Sequence, residues 1–307
     1  MKNIHEKKYL GDIISFDMKN KQNLKEKTNK AIGISNKIST TLIERPYGKH
    51  YFKAAKIMRA SMLIGSLLNN SETWTNISKA DLEALDKPDI ITQRNILGNK
   101  GNPSKAFMSL ELGILPVKFV MMEKRLNFLK YILQESTSTM LRQVYETLKS
   151  DSTKGDFVSL IEEDMDEIGC DLTEEDIIKM SKTQWKKFIN EMIVDTAFKH
   201  LIEENEKKTK TKHIVFEKLQ MSEYLVQNKN TLLSKIIFST RSGTLDFKVW
   251  NEWNYIDNTY VMCRFEEDNF DHFMTCILYR QTDLKCSFID IFGNNPENQN
   301  DIGKKII

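Results

Sequence analysis

Leu110-Glu111-Leu112-Gly113-Ile114-Leu115-Pro116 runs directly into Val117-Lys118-Phe119-Val120-Met121-Met122-Glu123-Lys124-Arg125-Leu126-Asn127-Phe128-Leu129-Lys130-Tyr131-Ile132-Leu133. Pro116 is a natural first-turn proline, because the first turn of a helix has no use for the N–H that proline lacks. From there Val117, Val120, Met121, Phe128 and Ile132 fall on one helical stripe, with Leu126, Leu129 and Leu133 beside it. So broad an apolar face belongs in a core, and it predicts a helical domain built around this segment.

Working outward toward the N-terminus, small or apolar residues recur at Leu24, Thr28, Ala31, Ser35, Ile38 and Leu42, which is one buried helix face. Pro46-Tyr47-Gly48 breaks it, and a second helix follows with Tyr51, Ala54, Ala55, Met58 and Met62 on its inner side. The outer side of that helix shows Lys49, Lys53, Lys56 and Arg59. Segment 79–97 is helical in composition but interrupted by Pro88, and Gly98–Pro103 reads as a loop. Tyr9-Leu10-Gly11-Asp12-Ile13-Ile14 reads as a short strand or hairpin piece whose partner is expected to lie outside the chain.

Toward the C-terminus, Ser136–Thr139 and Ser150–Thr153 read as loops around a short helix, and a domain boundary is expected near residue 150. Thr173-Glu174-Glu175-Asp176 and Ser181-Lys182-Thr183-Gln184 both resemble capping boxes. The second opens a helix with Trp185, Phe188, Ile189, Met192 and Ile193 facing inward, ending in an exposed charged run with Lys207, Lys208, Lys210 and Lys212. Residues 286–307 read as a loose tail.

Of the 307 residues, 40% are apolar and 29% charged, and 5 prolines and 12 glycines are few enough to favour helices over a turn-rich sandwich. No apolar run is long enough to cross a membrane, and the N-terminus lacks the apolar core of a signal peptide. Together with four cysteines that show no paired framework, this points to the inside of the cell, cytoplasm or nucleus. The net charge of +2 conceals an asymmetry. Residues 1–60 hold 14 Lys/Arg against 5 Asp/Glu, whereas residues 156–176 hold 10 acids and no base. A polyanion-binding surface requires such a basic block. A solvated helix face has the same composition, so charge alone does not decide.

Hydrolase elbows, phosphate-binding glycine loops and zinc-protease helices are absent. His5, His50, His200 and His213 have no partner at helical ligand spacing and read as surface or packing residues. The acidic run Glu162–Glu167 lacks the glycine and spaced ligands of a calcium loop and reads as a solvated face. Cys263, His272 and Cys276, spaced Cys-x8-His-x3-Cys, are three of the four ligands that a structural zinc site needs. Tyr260 stands where Cys-x-x-Cys spacing would put the fourth, and Cys286 is the other candidate. A buried histidine with two unlinked cysteines fits the same residues. Any zinc here, the one cofactor suggested, would be weakly bound.

Taken in order, several blocks resemble the region after the catalytic palm in non-LTR retrotransposon reverse transcriptases. Tyr9-Leu10-Gly11 resembles the family's primer-grip hairpin. Gly65…Ser71-Glu72-Thr73-Trp74 resembles its Gly-x-Glu-Thr-Trp, here with an insertion, and Leu82…Leu85…Arg94-Asn95-Ile96-Leu97-Gly98 is similar to the helix that follows. Leu110–Pro116 with Lys124–Leu129 and Ile132-Leu133 is similar to a Leu-Glu-Leu-Gly…Pro…Arg-Arg-Leu-x-x-Leu block. Phe238-Ser239-Thr240-Arg241 precedes Cys263…His272-Phe273…Cys276 as an arginine segment precedes the family's Cys-Cys-His-Cys knuckle, with Tyr260 replacing its first cysteine.

The resemblance, over about residues 9–280, implies a mostly α protein: a thumb-like helical bundle, a second helical segment and a small degenerate zinc-knuckle-like module. Its expected divisions are 1–18 as a residual primer-grip hairpin, 19–150 as the thumb, 151–235 as a connector, 236–285 as the knuckle and 286–307 as tail. It implies a grip on an RNA–DNA heteroduplex or DNA, with Tyr9, Leu10 and Gly11 as the primer-grip residues. The physical reading agrees: Lys49, Lys53, Lys56 and Arg59 on one helix face could meet a phosphate backbone without reading sequence. A separate palm-bearing chain is a further partner it allows; no membrane partner is expected. No Asp-Asp pair occurs, so no polymerase activity is expected of the chain alone; fingers and palm would lie upstream of residue 1. The other reading is a helical interaction module or a decayed retroelement product.

Overall fold

The computed structural model describes residues 6–9, 12–15, 21–44, 50–99, 101–151, 155–227 and 231–244, and among these the chain is mostly helical. Strand β1 (Glu6–Tyr9) pairs antiparallel with β2 (Asp12–Ser15), placing Tyr9 opposite Asp12 and Lys8 opposite Ile13. The partner expected outside the chain is therefore the residues just before: Tyr9–Ile14 is not one strand but the end of one and the start of the next. Leu10 and Gly11, which join them, lie outside the described residues.

The helices follow as α1 (Lys21–Glu44), α2 (Tyr51–Met58), α3 (Gly65–Leu67), α4 (Lys79–Leu97), α5 (Lys105–Leu112) and α6 (Val117–Gln134). Then come α7 (Met140–Ser150), α8 (Phe157–Glu167), α9 (Glu174–Lys179), α10 (Lys182–Glu206), α11 (Glu223–Gln227) and α12 (Thr231–Arg241). Between α2 and α3 the chain stays helical but widens to a π-helical stretch, Arg59–Ile64. Pro88 does not interrupt α4. The hydroxyl of Thr92, one turn on, donates to the Pro88 carbonyl at 2.9 Å and lies 2.8 Å from Ser35 Oγ of α1.

Two compact units emerge. The first comprises the described residues within Met1–Thr41, Lys56–Thr92 and Ile114–His200. Its centre is α6, against which α7, α8, α9 and the short turn Ser71–Thr73 all pack. Pro116 occupies the N-cap of α6 and its carbonyl accepts from Phe119 and Val120. The helix buries residues nearly all round: Val117, Met121, Leu126, Leu129, Ile132 and Leu133. Phe128, expected in that stripe, is only half-buried at its edge, stacked on Tyr131 and set edge-on to Phe157. Because helices on both sides of residue 150 share α6, the boundary expected there falls inside this unit.

Along α1, Leu24, Ala31, Ser35 and Ile38 are buried, following the expected four-and-three alternation. Both expected capping boxes form: Thr173 with Asp176 at α9, and Ser181 with Gln184 at α10. Trp185, Ile189, Ile193 and Ala197 then make the buried edge of α10, with the Trp185 indole N–H donating to the Leu126 carbonyl at 3.2 Å.

The second unit comprises the described residues within Leu42–Ala55, Gln93–Gly113 and Leu201–Ile307. Here α5 is buried from Ala106 to Leu112, and Phe107 stacks on Phe238 of α12 and meets Phe216 edge-on. Gly113 ends α5 with a φ of +59°, and a Cβ on it would collide with the backbone of Gln220 and Met221. At the core, Glu111 and Arg241 form an ion pair at 2.7 Å, exposed 0% and 1%. The guanidinium also lies 5.4 Å from the centre of the Tyr224 ring, and burial, aided by the Glu111 charge, pushes the Tyr224 phenol well above its ordinary pKa.

Candidate nucleic-acid interface

A basic residue can contact a phosphate only if its charge is on the surface, so burial sorts the candidates first. Lys53 is exposed on α2. Lys56 is half-buried, and its pKa is lowered by that burial and by the neighbouring Arg59 charge. Arg59 itself is 5% exposed and bound to Asp89 through two hydrogen bonds, at 2.6 and 2.8 Å, with a third to the Leu115 carbonyl. Hence it is not part of an exposed basic face. The reason is its place just past α2: Arg59 stands four residues after Ala55 and eight after Tyr51, so it continues that helix's buried edge. Tyr51, Phe52, Ala55, Arg59, Leu63 and Leu67 are buried, whereas Ala54, placed inside by even α-helical spacing, is exposed and Met58 and Met62 are half-buried. Of the remaining candidates, Tyr9 is in β1, and Leu10, Gly11 and Lys49 lie outside the described residues.

Arg59 belongs to a wider pattern in which cations hold the first unit together from inside. Lys27, 6% exposed, donates to the Asn69 carbonyl and sits 5.4 Å from the centre of the Trp74 ring. Arg125 binds Asp164 through two hydrogen bonds, at 2.6 and 3.1 Å. Asp164 is buried, so the acidic run 162–167 is not uniformly solvated; burial pushes its carboxyl pKa up, against the pull of Arg125. Lys130 donates to the carbonyls of Ile177, Ile178 and Met180, capping the end of α9 as cations favourably do. The basic surplus of residues 1–60 thus overstates the surface charge, because Lys27 and Arg59 are spent internally.

A basic surface is found elsewhere, in the second unit. Residues 101–104, 207–211 and 242–244 enclose an open cleft of about 590 Å³. Lys207, Lys208 and Lys210 line it, and among the described residues no acidic side chain does. Lys210 is tied down, its Nζ donating to the Gly243 carbonyl at 3.0 Å while its stem lies against Gly243, whose φ is +62°. Lys207 and Lys208 are exposed, and among the described residues no carboxylate lies within ion-pair distance of either. Arg94 donates to Asn102 Oδ1 at 2.6 Å, leaving the amide nitrogen of Asn102 as a donor at the rim. The lysines were legible as an exposed charged run, but the cleft was not. Its other walls are a glycine loop and Ser242-Gly243-Thr244, which carry no charge of their own.

Among the described residues no group of His, Cys, Asp or Glu could hold a metal ion. Cys263, His272, Cys276, Tyr260 and Cys286 lie outside those residues, as does the whole expected knuckle. No helix among the described residues is long and apolar enough to cross a membrane. Neither family models, nor curated proteins, nor solved structures give a match to this chain.

Proposed function

We infer that this chain is a nucleic-acid-binding, C-terminal-type segment of a non-LTR retrotransposon reverse transcriptase, holding a heteroduplex or DNA without performing polymerisation. The observation that carries this reading is that the blocks resembling the family are the framework of the fold. Glu111 of the Leu-Glu-Leu-Gly block is the buried partner of Arg241 in the Phe-Ser-Thr-Arg block, 130 residues away. Trp74, Leu85, Leu97, Leu110, Leu126, Leu129 and Phe238 are likewise interior. Residues that act as the structural frame are those a distant likeness preserves, whereas surface contacts drift.

Two measurements test it. The full chain should bind an RNA–DNA heteroduplex with an affinity that falls steeply as salt rises. Primed RNA template with dNTPs and magnesium should give no extension, since the chain has no Asp-Asp pair to hold two metal ions. Salt-insensitive or absent binding would remove the nucleic-acid role, and extension products would remove the non-catalytic one. Weak zinc binding by Cys263, His272 and Cys276 belongs to the same reading, and Tyr260→Cys should strengthen it by completing four ligands.

A helical protein-interaction module is the second reading. It is favoured by the exposed apolar side chains Met140, 81% exposed, and Tyr131, 52% exposed, both in the first unit. A partner-dependent loss of their exposure, without nucleic-acid binding, would select it.

A further inference from the structure

We propose that the cleft enclosed by residues 101–104, 207–211 and 242–244 is a docking site for phosphate groups of a polynucleotide backbone, with Lys207 and Lys208 as its contacting charges. The inference rests on the nucleic-acid reading above and assigns it a place that the basic N-terminal block does not include.

Three features converge on an oxyanion. First, among the described residues the lining carries three lysines and no carboxylate. Lys210 is committed to the Gly243 carbonyl, and that bond pins the 207–211 turn to the 242–244 turn. The ammonium groups of Lys207 and Lys208 have no carboxylate within ion-pair distance among the described residues. Second, the N-terminus of α5 opens at the same cleft through Pro103 and Ser104. Ser104 stands at the N-cap and its side chain makes no capping hydrogen bond, and the positive end of the α5 dipole lies on this side of the cleft. Third, the Arg94–Asn102 bond fixes an amide donor at the rim and brings a further cation next to it.

The same lining says which part of a nucleic acid enters. Among the described residues it holds no aromatic side chain, so these residues offer no platform on which a base could stack. Recognition would run through phosphates alone and be indifferent to sequence. Its volume of about 590 Å³ and its open form suit a stretch of strand passing through better than an enclosed single anion.

The test compares the full chain with the double variant Lys207→Glu/Lys208→Glu and with Lys207→Arg/Lys208→Arg. The probes are an oligothymidylate, a random-sequence oligonucleotide and inorganic tripolyphosphate. Both lysines are exposed, so all three proteins should melt together. The expected result is equal affinity for the two oligonucleotides and a loss of at least about tenfold in the Glu variant. The slope of log affinity against log salt should fall by about two, with near-parental values for the Arg variant. Oligonucleotide binding unchanged in the Glu variant would overturn the cleft and leave the general nucleic-acid role standing. Lysine-dependent tripolyphosphate binding without oligonucleotide binding would overturn the polynucleotide and mark a small-anion site. Binding of neither would overturn both readings.

Discussion

Glu111 and Arg241 are 130 residues apart in the chain and 2.7 Å apart in the fold, each sealed from water. Breaking a buried pair is costlier than replacing it, because the survivor keeps its charge without its partner. Arg241→Met alone should destabilise the protein by about 3–5 kcal/mol. Adding Glu111→Leu to it should recover a large part of that loss. Urea unfolding of the two single variants and the double would measure the coupling; simple additivity would mean that the pair carries none.

Arg59 and Lys53 should separate stability from binding. Arg59→Ala removes two hydrogen bonds and the paired charge from Asp89, which is fully buried, and should lower the melting temperature markedly. Lys53→Glu, on an exposed site, should leave melting nearly unchanged and weaken heteroduplex binding modestly. The opposite assignment in paired melting and binding measurements would return Arg59 to the surface.

Two aromatic truncations should differ in size. Trp185 is fully buried and its indole bonds the Leu126 carbonyl, so Trp185→Ala should cost about 3–5 kcal/mol. Phe128 is half-buried, and Phe128→Ala should cost about 1–3 kcal/mol. Equal losses in chemical denaturation would place Phe128 in the core after all.

Glu174 supplies a pH dependence. Burial pushes its carboxyl pKa up, but hydrogen bonds from Lys149 and Tyr145, with the charges of Lys149 and Arg142, outweigh that and hold it below 4.5. A folded-state pKa below the unfolded one stabilises above the unfolded value and is lost as pH falls through the folded one. Glu174→Gln should therefore melt lower than the parent at pH 7, and the gap should close as pH drops below 4.5. A gap of constant size from pH 7 to pH 3 would mean the carboxylate charge is not its source.

Much of the fold could be read from periodicity and caps, since both depend on neighbours in sequence. The inward residues of α1, the boxes at Thr173 and Ser181, and the helix after Pro116 are all of that kind. What escaped depends on partners far along the chain. Arg59 is buried because Asp89 waits for it, and Asp164 because Arg125 does. The cleft escaped for the same reason: its walls come from residues 101–104, 207–211 and 242–244, and two of them are uncharged.

The widened turn at Arg59–Ile64 holds one residue more than an ordinary helical turn would, and its i→i+5 bonds absorb that residue locally. Removing one residue among Ala60, Ser61 and Met62 would restore ordinary i→i+4 bonding. Arg59 would then stand three residues from Leu63 rather than four, and both spacings keep two side chains on one helix face. The contact of Arg59 with Asp89 and the buried edge through Leu63 and Leu67 would therefore survive a shortening that in a plain α-helix turns everything beyond it by about 100°. The stretch is slack stored inside a helix, where length can change by one residue without the faces on either side losing register.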